Sequence, residues 1–203
     1  MMKLRQIVLG FSILIVAAAL HAAPAVGQSA PDFTLRDASG KAVKLSDFRG
    51  KHVVLEWTNP SCPYVRKHYD SGNMPATQKA ALDKGVVWLA INSTAKSSYE
   101  YLEPAKVVAW QRERKAQPTA LLLDEDGAAG KAYGARTTPH MYIVDPQGKL
   151  IYAGGIDSIA SSDPRDIKKA VNYVRQGLDE ALAGKPLSAA VTRPYGCSVK
   201  YES

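Results

Sequence analysis

The sequence predicts an α/β fold in which a central mixed β-sheet carries helices on both faces. From Ala30 onward, short apolar runs typical of strands alternate with segments of helical periodicity. Residues 86–91 form a continuous apolar run, which indicates a central strand covered on both faces. Residues 141–144 and 150–153 flank an Asp-Pro-Gln-Gly turn and therefore predict an antiparallel hairpin.

The other elements follow from apolar periodicity and from the glycines and prolines that interrupt it. In chain order they are a hairpin of residues 33–35 and 43–45, a helical turn at 46–50, a strand at 53–57, a helix from residue 63 that is interrupted at 70–75 and resumes at 77–84, a helix at 104–117, a strand at 120–123, a short helix at 128–133 and a long helix from 162–164 to 183. In the helix at 104–117 we expect Val107, Val108 and Trp110 to be buried. Gly184 ends the last helix.

Length and composition fit one domain with terminal extensions. The chain has 203 residues, of which 46% are hydrophobic, and this is enough to bury one core. Its formal net charge is +7, but the basic residues are dispersed. The densest basic cluster, Arg112, Arg114 and Lys115, is interrupted by Glu113. We interpret this cluster as a solvated helix face and expect no nucleic-acid partner.

The N-terminal segment has the pattern of a secretory signal peptide. Lys3 and Arg5 precede an uncharged apolar stretch at residues 7–20, which is short for a membrane span. Small residues follow, and cleavage after Ala25 fits the small-x-small rule better than cleavage after Ala23. We therefore predict a periplasmic or secreted protein. An uncleaved N-terminal anchor is the alternative.

We therefore predict three segments: a signal peptide at residues 1–25, a folded domain at 26–184 and a C-terminal tail at 185–203. The chain has two cysteines, Cys62 in the domain and Cys197 in the tail. An oxidising compartment favours disulfides, and two cysteines allow one bridge.

Four stretches resemble one protein family. Residues 30–35 (APDFTL) and 43–51 (VKLSDFRGK) are similar to the opening of the redoxin, or alkyl hydroperoxide reductase/thiol-specific antioxidant, family within the thioredoxin superfamily. Residues 137–139 (TTP) are similar to the cis-proline loop of thioredoxins, and residues 193–201 (RPYGCSVKY) resemble the tail of peroxiredoxin-like proteins. The resemblance spans nearly all of the chain after the signal peptide. It implies a thioredoxin-like fold and thiol redox chemistry.

Cys62 is the candidate nucleophile. It follows an apolar strand and precedes Pro63, where a helix is expected to begin, so that helix N–H groups would face the sulfur and favour its thiolate form. Arg66 and Lys67 lie about one turn further along and would add to this effect. Thioredoxins carry a second cysteine three residues earlier, and that position is Asn59 here. The alternative role for Cys62 is half of a structural disulfide.

The resemblance implies two reactions, and the sequence departs from both patterns. Peroxiredoxins hold the peroxide with a Thr or Ser three residues before the cysteine and with a separate arginine. Here Asn59 stands at the Thr or Ser position, and Thr58 is one residue out of register. Pro139 stands at the arginine position, and Arg136 is nearby in sequence. Thioredoxin-like exchange lacks its local resolving thiol, so Cys197 is the candidate resolving cysteine. We expect thiol–disulfide exchange, weak hydroperoxide reduction, or both.

The Cys62–Cys197 pair has two possible roles. It is either an exchange-active pair or a permanent staple in a non-catalytic binding or scaffold module, where closing so long a loop would contribute about 4–5 kcal/mol. We favour exchange, because Cys62 occupies the reactive position of the fold. The reaction needs no organic cofactor or metal. Its partners would be an external dithiol reductant or the thiols and disulfides of a substrate protein, with no membrane contact beyond the signal peptide.

Two supporting groups complete the predicted site. Thr138 and Pro139 would form a cis-proline loop that packs against Cys62 and presents backbone groups to a partner polypeptide. Glu56 lies in the apolar strand and shares a face with Val54. Its carboxylate either shuttles a proton to the thiol or forms a salt bridge to a lysine or arginine at the sheet edge, and we favour the salt bridge.

Two further polar positions have simpler interpretations. Asp157 follows Gly-Gly-Ile and is interpreted as a turn residue. His140 and His68 could join Cys62 in a copper site, as in copper chaperones of this fold. Those proteins carry two closely spaced cysteines, which this chain lacks, and we therefore expect no metal site.

Overall fold

The computed structural model describes residues 23–202. The predicted signal peptide lies outside these residues except for its last three, so its assignment stays a prediction. Among the helices of the described range, none is long and apolar enough to cross a lipid bilayer.

The described chain contains nine strands, five α-helices and two short 3-10 turns. The strands are β1 (Thr34–Asp37), β2 (Ala42–Lys44), β3 (Val53–Trp57), β4 (Val87–Asn92), β5 (Ala120–Leu123), β6 (Thr137–Thr138), β7 (His140–Val144), β8 (Leu150–Gly154) and β9 (Cys197–Ser198). The helices are α1 (Pro63–Asp70), α2 (Asn73–Leu82), α3 (Pro104–Glu113), α4 (Ala128–Tyr133) and α5 (Tyr173–Leu182), and the 3-10 turns are Leu45–Phe48 and Pro164–Asp166.

Seven strands form one mixed sheet in the order β2-β1-β5-β4-β3-β7-β8. The central strands β3, β4 and β5 run parallel, whereas both edges are antiparallel: β1 pairs with β2 and β5, and β7 pairs with β3 and β8. β6 and β9 form a separate two-stranded sheet. The α/β class, the central position of β4 and the hairpin of β7 with β8 are confirmed.

The core lies on both faces of this sheet, and β3 shows how the sequence divides between them. Val53, Leu55 and Trp57 pack into one apolar cluster, while Val54 packs into the other. Glu56 is on the Val54 face, as strand alternation predicts. Because β3 and β4 are buried along their whole length, their apolar side chains are covered on both sides.

Two helices differ from their predicted bounds. Pro75 does not interrupt α2, because it lies in the first turn, where a backbone N–H has no partner within the helix. α3 ends at Glu113, four residues early, and Lys115 beyond it has a positive φ of 58° that a helix cannot contain. Val107 is buried as predicted, but Val108 is 41% exposed.

The last helix begins nine residues later than predicted. Asp163 does accept the N–H of Arg165, but the segment it caps is the three-residue 3-10 turn. The backbone then pairs with the strand-like segment after β8, since Asn172 bridges to Asp157 and the N–H of Ser158 donates to the carbonyl of Val171. Turn residues 167–169 lead into this pairing, which holds Asn172 in an extended conformation, and α5 therefore begins at Tyr173.

The tail after α5 returns across the domain to the start of α1. Val191 bridges to Ala153 of β8, β9 pairs with β6, and the carbonyl of Lys200 accepts the N–H of Ala95. The tail is thus held by backbone hydrogen bonds at three separate places.

Candidate active site

Cys62 is the N-cap residue of α1 and is 1% exposed. Pro63 occupies the first turn, where its lack of an N–H costs no helical hydrogen bond. The carbonyl of Cys62 accepts the N–H of Arg66 and closes that turn. The sulfur points away from the helix and donates to the carbonyl oxygen of Thr138, 3.0 Å away. This bond requires the thiol form of Cys62.

The loop that receives this sulfur contains the cis-proline. The Thr138–Pro139 peptide bond is cis, as predicted. Thr138 pairs antiparallel with Cys197, so the same residue binds the sulfur of Cys62 and the backbone of the tail. The structure therefore brings the two cysteines and the cis-proline loop together.

The two cysteines are free thiols, and each lies against Thr138. Cys62 is buried, while Cys197 is partly exposed. Burial, a hydrogen bond to Cys62 and the negative charge that Cys62 can carry raise the pKa of Cys197 to about 12. Cys197 is therefore protonated at neutral pH.

Gly196 permits this close approach. Its φ is +138°, a conformation that side chains rarely adopt, and a Cβ built there would lie 2.0 Å from the carbonyl oxygen of Thr138. No side chain fits between the tail and the cis-proline loop. The glycine before Cys197 is thus a requirement of the docked tail.

Asn59 holds the position of the missing local cysteine. Its side-chain oxygen Oδ1 accepts the N–H of Ser61 at 2.8 Å and shapes the turn before Cys62. Its amide nitrogen donates to the Glu100 carboxylate at 2.7 Å. The cations that were expected to face the thiol are engaged elsewhere: Arg66 donates to the carbonyl of Pro60, and Lys67 lies 3.6 Å from Asp157.

A buried polar cluster anchors the tail beside the cysteines. The Tyr195 hydroxyl donates to Asp157, whose carboxylate also faces Lys67. Since that proton goes to Asp157, the hydroxyl must accept from His68 Nε2 at 3.2 Å, and His68 Nδ1 accepts from Asn73. Burial lowers the pKa of His68 to about 4, so its imidazole is neutral at pH 7.

The interpretation of Asp157 as a turn residue is therefore incomplete. Its carboxylate does accept the N–H of Ile159, as an Asx turn requires. Its other partners are Lys67 on α1 and Tyr195 in the tail. The sequence around Asp157 gives no signal of them, because both partners are distant along the chain.

Glu56 is fully buried on the central strand β3, and the predicted salt bridge at the sheet edge is wrong. Its carboxylate accepts from three neutral donors: Tyr69 Oη at 2.7 Å, Trp88 Nε1 at 2.8 Å and Gln78 Nε2 at 3.2 Å. Burial raises the pKa of Glu56, since no cation compensates the charge in this network.

The two histidines that were considered for copper have other partners. His68 uses both ring nitrogens in the Tyr195 and Asn73 contacts, and His140 Nδ1 contacts Tyr142 Oη at 3.2 Å. Within residues 23–202, no three side chains of His, Cys, Asp or Glu are grouped so that they could hold a metal ion.

The family assignment follows from a sequence match that covers the domain. The model of the AhpC/TSA family matches residues 26–153, more than half of the chain. The chain belongs to the AhpC/TSA family. The match includes Cys62 and the cis-proline loop, whereas the tail with Cys197 lies beyond it.

Similar proteins place this AhpC/TSA chain near thiol–disulfide oxidoreductases. It is 33% identical to the thiol–disulfide oxidoreductase ResA of Geobacillus thermodenitrificans over 135 residues, which are 63% of this chain and 68% of the relative. An uncharacterised conserved protein of Geobacillus kaustophilus has a similar structure, with a TM-score of 0.76, 28% identity and coverage of 88% of this chain and 93% of the other.

A third comparison concerns a putative thiol:disulfide interchange protein DsbE of Chlorobium tepidum. Its structure matches with a TM-score of 0.52 and 26% identity, over 64% of this chain and 84% of the other. The predicted thioredoxin-like fold and redoxin family are confirmed. These relatives support the prediction that the chain is an oxidoreductase.

Proposed function

We propose that this protein is an exported thiol–disulfide oxidoreductase whose redox couple is Cys62 and Cys197. One observation carries the proposal: Cys62 donates to the carbonyl of Thr138, the residue that pairs with Cys197. The tail thus supplies the second thiol that Asn59 does not provide. A thioredoxin keeps this thiol three residues away, whereas here it comes from the other end of the domain.

The reaction exchanges one disulfide for two thiols. The Cys62 thiolate attacks one sulfur of a substrate disulfide, forms a mixed disulfide and releases the other substrate sulfur as a thiolate. Cys197 then passes its proton to that thiolate and attacks Cys62, which forms the Cys62–Cys197 disulfide and releases the second substrate sulfur. That sulfur takes up the proton that Cys62 had lost to the solvent. Two protein thiols are oxidised and one substrate disulfide is reduced. An external dithiol restores the protein by the same steps in reverse.

The burial of Cys62 sets a condition on the substrate. With the tail docked, Cys62 is 1% exposed and the backbone of Thr138 is already paired. A partner polypeptide that approached along the cis-proline loop would need the position that β9 occupies. Exchange with a protein substrate therefore requires the tail to leave the loop and then return.

A redox titration tests the proposal. The mature protein is equilibrated in glutathione and dithiothreitol buffers, and its thiols are counted. We expect reversible formation of one intramolecular disulfide with a midpoint between about −270 and −120 mV, the range of exchange proteins. Cys62→Ser and Cys197→Ser variants should form none. A disulfide that resists mild dithiol reduction in the folded protein would instead indicate the structural staple of a scaffold module.

Hydroperoxide reduction is a second candidate, and the burial of Cys62 favours it, since a peroxide is small enough to reach a thiol that a polypeptide cannot. The Cys62 thiolate would attack one peroxide oxygen and become a sulfenic acid, while the O–O bond breaks and the other oxygen leaves as hydroxide and is protonated to water. Condensation of the sulfenic acid with the Cys197 thiol would form the disulfide and release a second water. Asn59 and Pro139 stand where peroxiredoxins hold the peroxide, so we expect slow turnover. Reduced protein should lose two thiols per hydrogen peroxide consumed, and Cys62→Ser should consume none.

Export to the periplasm or the medium is proposed from the N-terminal sequence pattern. Mass spectrometry of the protein isolated from the periplasmic fraction or the medium should give an N-terminus at Val26, or at Pro24 if cleavage follows Ala23. A protein that retains Met1 or Met2 would contradict cleavage. The partners we propose are an external dithiol reductant and protein thiols or disulfides.

A further inference from the structure

Glu100 connects the turn before Cys62 to the tail that carries Cys197. One carboxylate oxygen accepts from Asn59 Nδ2 at 2.7 Å, and the other lies 3.1 Å from the Lys200 ammonium group. Asn59 belongs to the turn that begins α1, Glu100 to the loop after β4, and Lys200 to the tail. A single side chain therefore joins three segments that are distant along the sequence.

This arrangement differs from the surface ion pairs of the protein. The side chains of Glu100 and Lys200 are 13% and 28% exposed, whereas Lys79 and Asp83 on α2 are both more than 60% exposed. The backbone of Lys200 is fixed as well, because its carbonyl accepts the N–H of Ala95 in the same loop as Glu100. Partial burial and a fixed backbone reduce the entropy lost in forming the pair.

We propose that Glu100 and Lys200 are positioning residues for the redox couple: through Asn59 they hold the tail so that Cys197 meets Cys62. The proposal rests on the proposed function, because it explains how the distant thiol takes the place of the missing local one. Asn59 then has a role beyond the absence of a cysteine. Its side-chain amide holds Glu100 in place, and Glu100 in turn binds Lys200 of the tail. We call Asn59, Glu100 and Lys200 the Glu100 clamp.

The clamp also places two opposite charges near Cys197. The ionisable groups that face Cys197 are Cys62 at the start of α1, Glu100 in the loop after β4 and Lys200 in the tail itself. The Glu100 charge raises the pKa of Cys197, and the Lys200 charge lowers it. Removing either residue should loosen the tail and expose Cys197, whose burial is the largest cause of its raised pKa.

The first experiment measures tail docking. Glu100→Gln keeps an acceptor for Asn59 but loses the charge, and Lys200→Met keeps the aliphatic stem. For each variant, the equilibrium constant of the Cys62–Cys197 disulfide against glutathione is measured. Cys62 alkylation in the reduced protein is followed by peptide mass spectrometry. We expect the equilibrium constant to fall, and the alkylation rate to rise, about twofold to fivefold in both variants. Lys79→Gln, which removes an exposed ion pair, should change neither.

The second experiment measures loosening at Cys197 itself. In a Cys62→Ser background Cys197 is the only cysteine, and its alkylation rate is measured against pH. Because loosening exposes the thiol, the midpoint should move to lower pH in both variants. The shift should be larger with Glu100→Gln than with Lys200→Met, since the Glu100 charge raises the pKa of Cys197 and the Lys200 charge lowers it.

The proposal is overturned if both variants keep the native disulfide equilibrium, or if neither midpoint moves. A failure of the proposed function would give a different result. The native protein, with Glu100 and Lys200 in place, would then form no reversible Cys62–Cys197 disulfide.

Discussion

At the scale of single residues, the site depends on how closely the tail approaches the cis-proline loop. The carbonyl of Thr138 accepts the Cys62 thiol while Cys197 pairs with the same residue. Gly196 allows this contact because it has no side chain and can adopt a positive φ. The docking of the tail therefore depends on one residue that carries no chemistry.

Gly196→Ala should release the tail. The new Cβ would lie 2.0 Å from a backbone oxygen that cannot move without breaking the β6–β9 pairing. Strain of this kind costs about 1–3 kcal/mol, so we expect Cys62 alkylation in the reduced protein to become about tenfold faster or more. Gly184→Ala is the matched control, because Gly184 also has a positive φ but faces open space. Equal alkylation rates in native protein and Gly196→Ala would contradict this account.

The buried Glu56 predicts a pH dependence of stability. Its pKa is raised above the ordinary value of 4.5, so the unfolded chain ionises first as the pH rises. The contribution of Glu56 to stability is therefore complete below pH 4.5 and is lost as the pH rises through the folded pKa. It amounts to about 1.4 kcal/mol for each unit of pKa difference. Urea denaturation between pH 4 and pH 8 should show Glu56→Gln gaining stability relative to native protein across this window.

Glu180 is a control for this prediction, because its pKa is shifted in the opposite direction to that of Glu56. Hydrogen bonds from Ser188 lower its pKa, so its contribution is present above the unfolded pKa and is lost as the pH falls. Relative to native protein, Glu180→Gln should therefore lose stability as the pH rises from acid. A Glu56→Gln difference that does not change with pH would show that Glu56 does not titrate in this range.

At the scale of elements, α5 shows how non-local pairing fixes a helix end. Asn172 ends the extended segment that pairs with Asp157, and its side chain accepts the N–H of Arg175. The same side chain donates to Thr77 on α2 at 3.1 Å. One residue thus ends a bridge, caps a helix and joins two helices.

Asn172→Ala should destabilise the protein by about 1–2 kcal/mol, since loss of a cap alone costs about 1 kcal/mol. The change is measured as a lower midpoint of urea denaturation with an unchanged slope. Asp163→Ala is the matched control and should cost less than half as much, because Asp163 caps a three-residue turn. A larger effect at Asp163 would mean that the 3-10 turn, and not α5, stabilises this region.

The elements also show what local sequence can predict. The strands Val53–Trp57 and Ala120–Leu123 and the helix Ala128–Tyr133 have their predicted bounds, because apolar runs and flanking glycines specify them locally. The predicted start of the last helix was wrong, because the backbone bridge between Asn172 and Asp157 determines where α5 begins. Asp163 does cap a segment, as the sequence predicts, but that segment is the 3-10 turn, and Asn172 caps the long helix.

At the scale of the whole molecule, the tail brings Cys197 to the cis-proline loop beside Cys62. Cys62 and Pro139 could be identified from the sequence, since family motifs mark both positions. Glu100 and Lys200 could not, because two surface charges among many have no motif and meet through the path of the tail. The wrong expectation for Glu56 has a similar cause: its neutral partners come from α1, α2 and β4.

Oxidation should stabilise the folded protein. In the chain-entropy model, a bridge between residues so far apart raises the free energy of unfolding by about 4–5 kcal/mol. We expect the oxidised protein to unfold at a clearly higher urea concentration than the reduced protein. In Cys197→Ser, treatment with the same oxidant should leave the midpoint unchanged. Coincident denaturation curves for oxidised and reduced native protein would show that the bridge is strained in the folded state.

The pairing of β9 with β6 also has a consequence for the order of biosynthesis. The seven-stranded sheet has all its strands once Gly154 has been translated, but the proposed redox couple is complete only when Cys197 has followed. Throughout that interval Cys62 is present without its proposed partner thiol. The sheet and the β6–β9 pairing are therefore completed at different stages of synthesis, and a Cys62 that reacts in between would have to react with a thiol from another molecule.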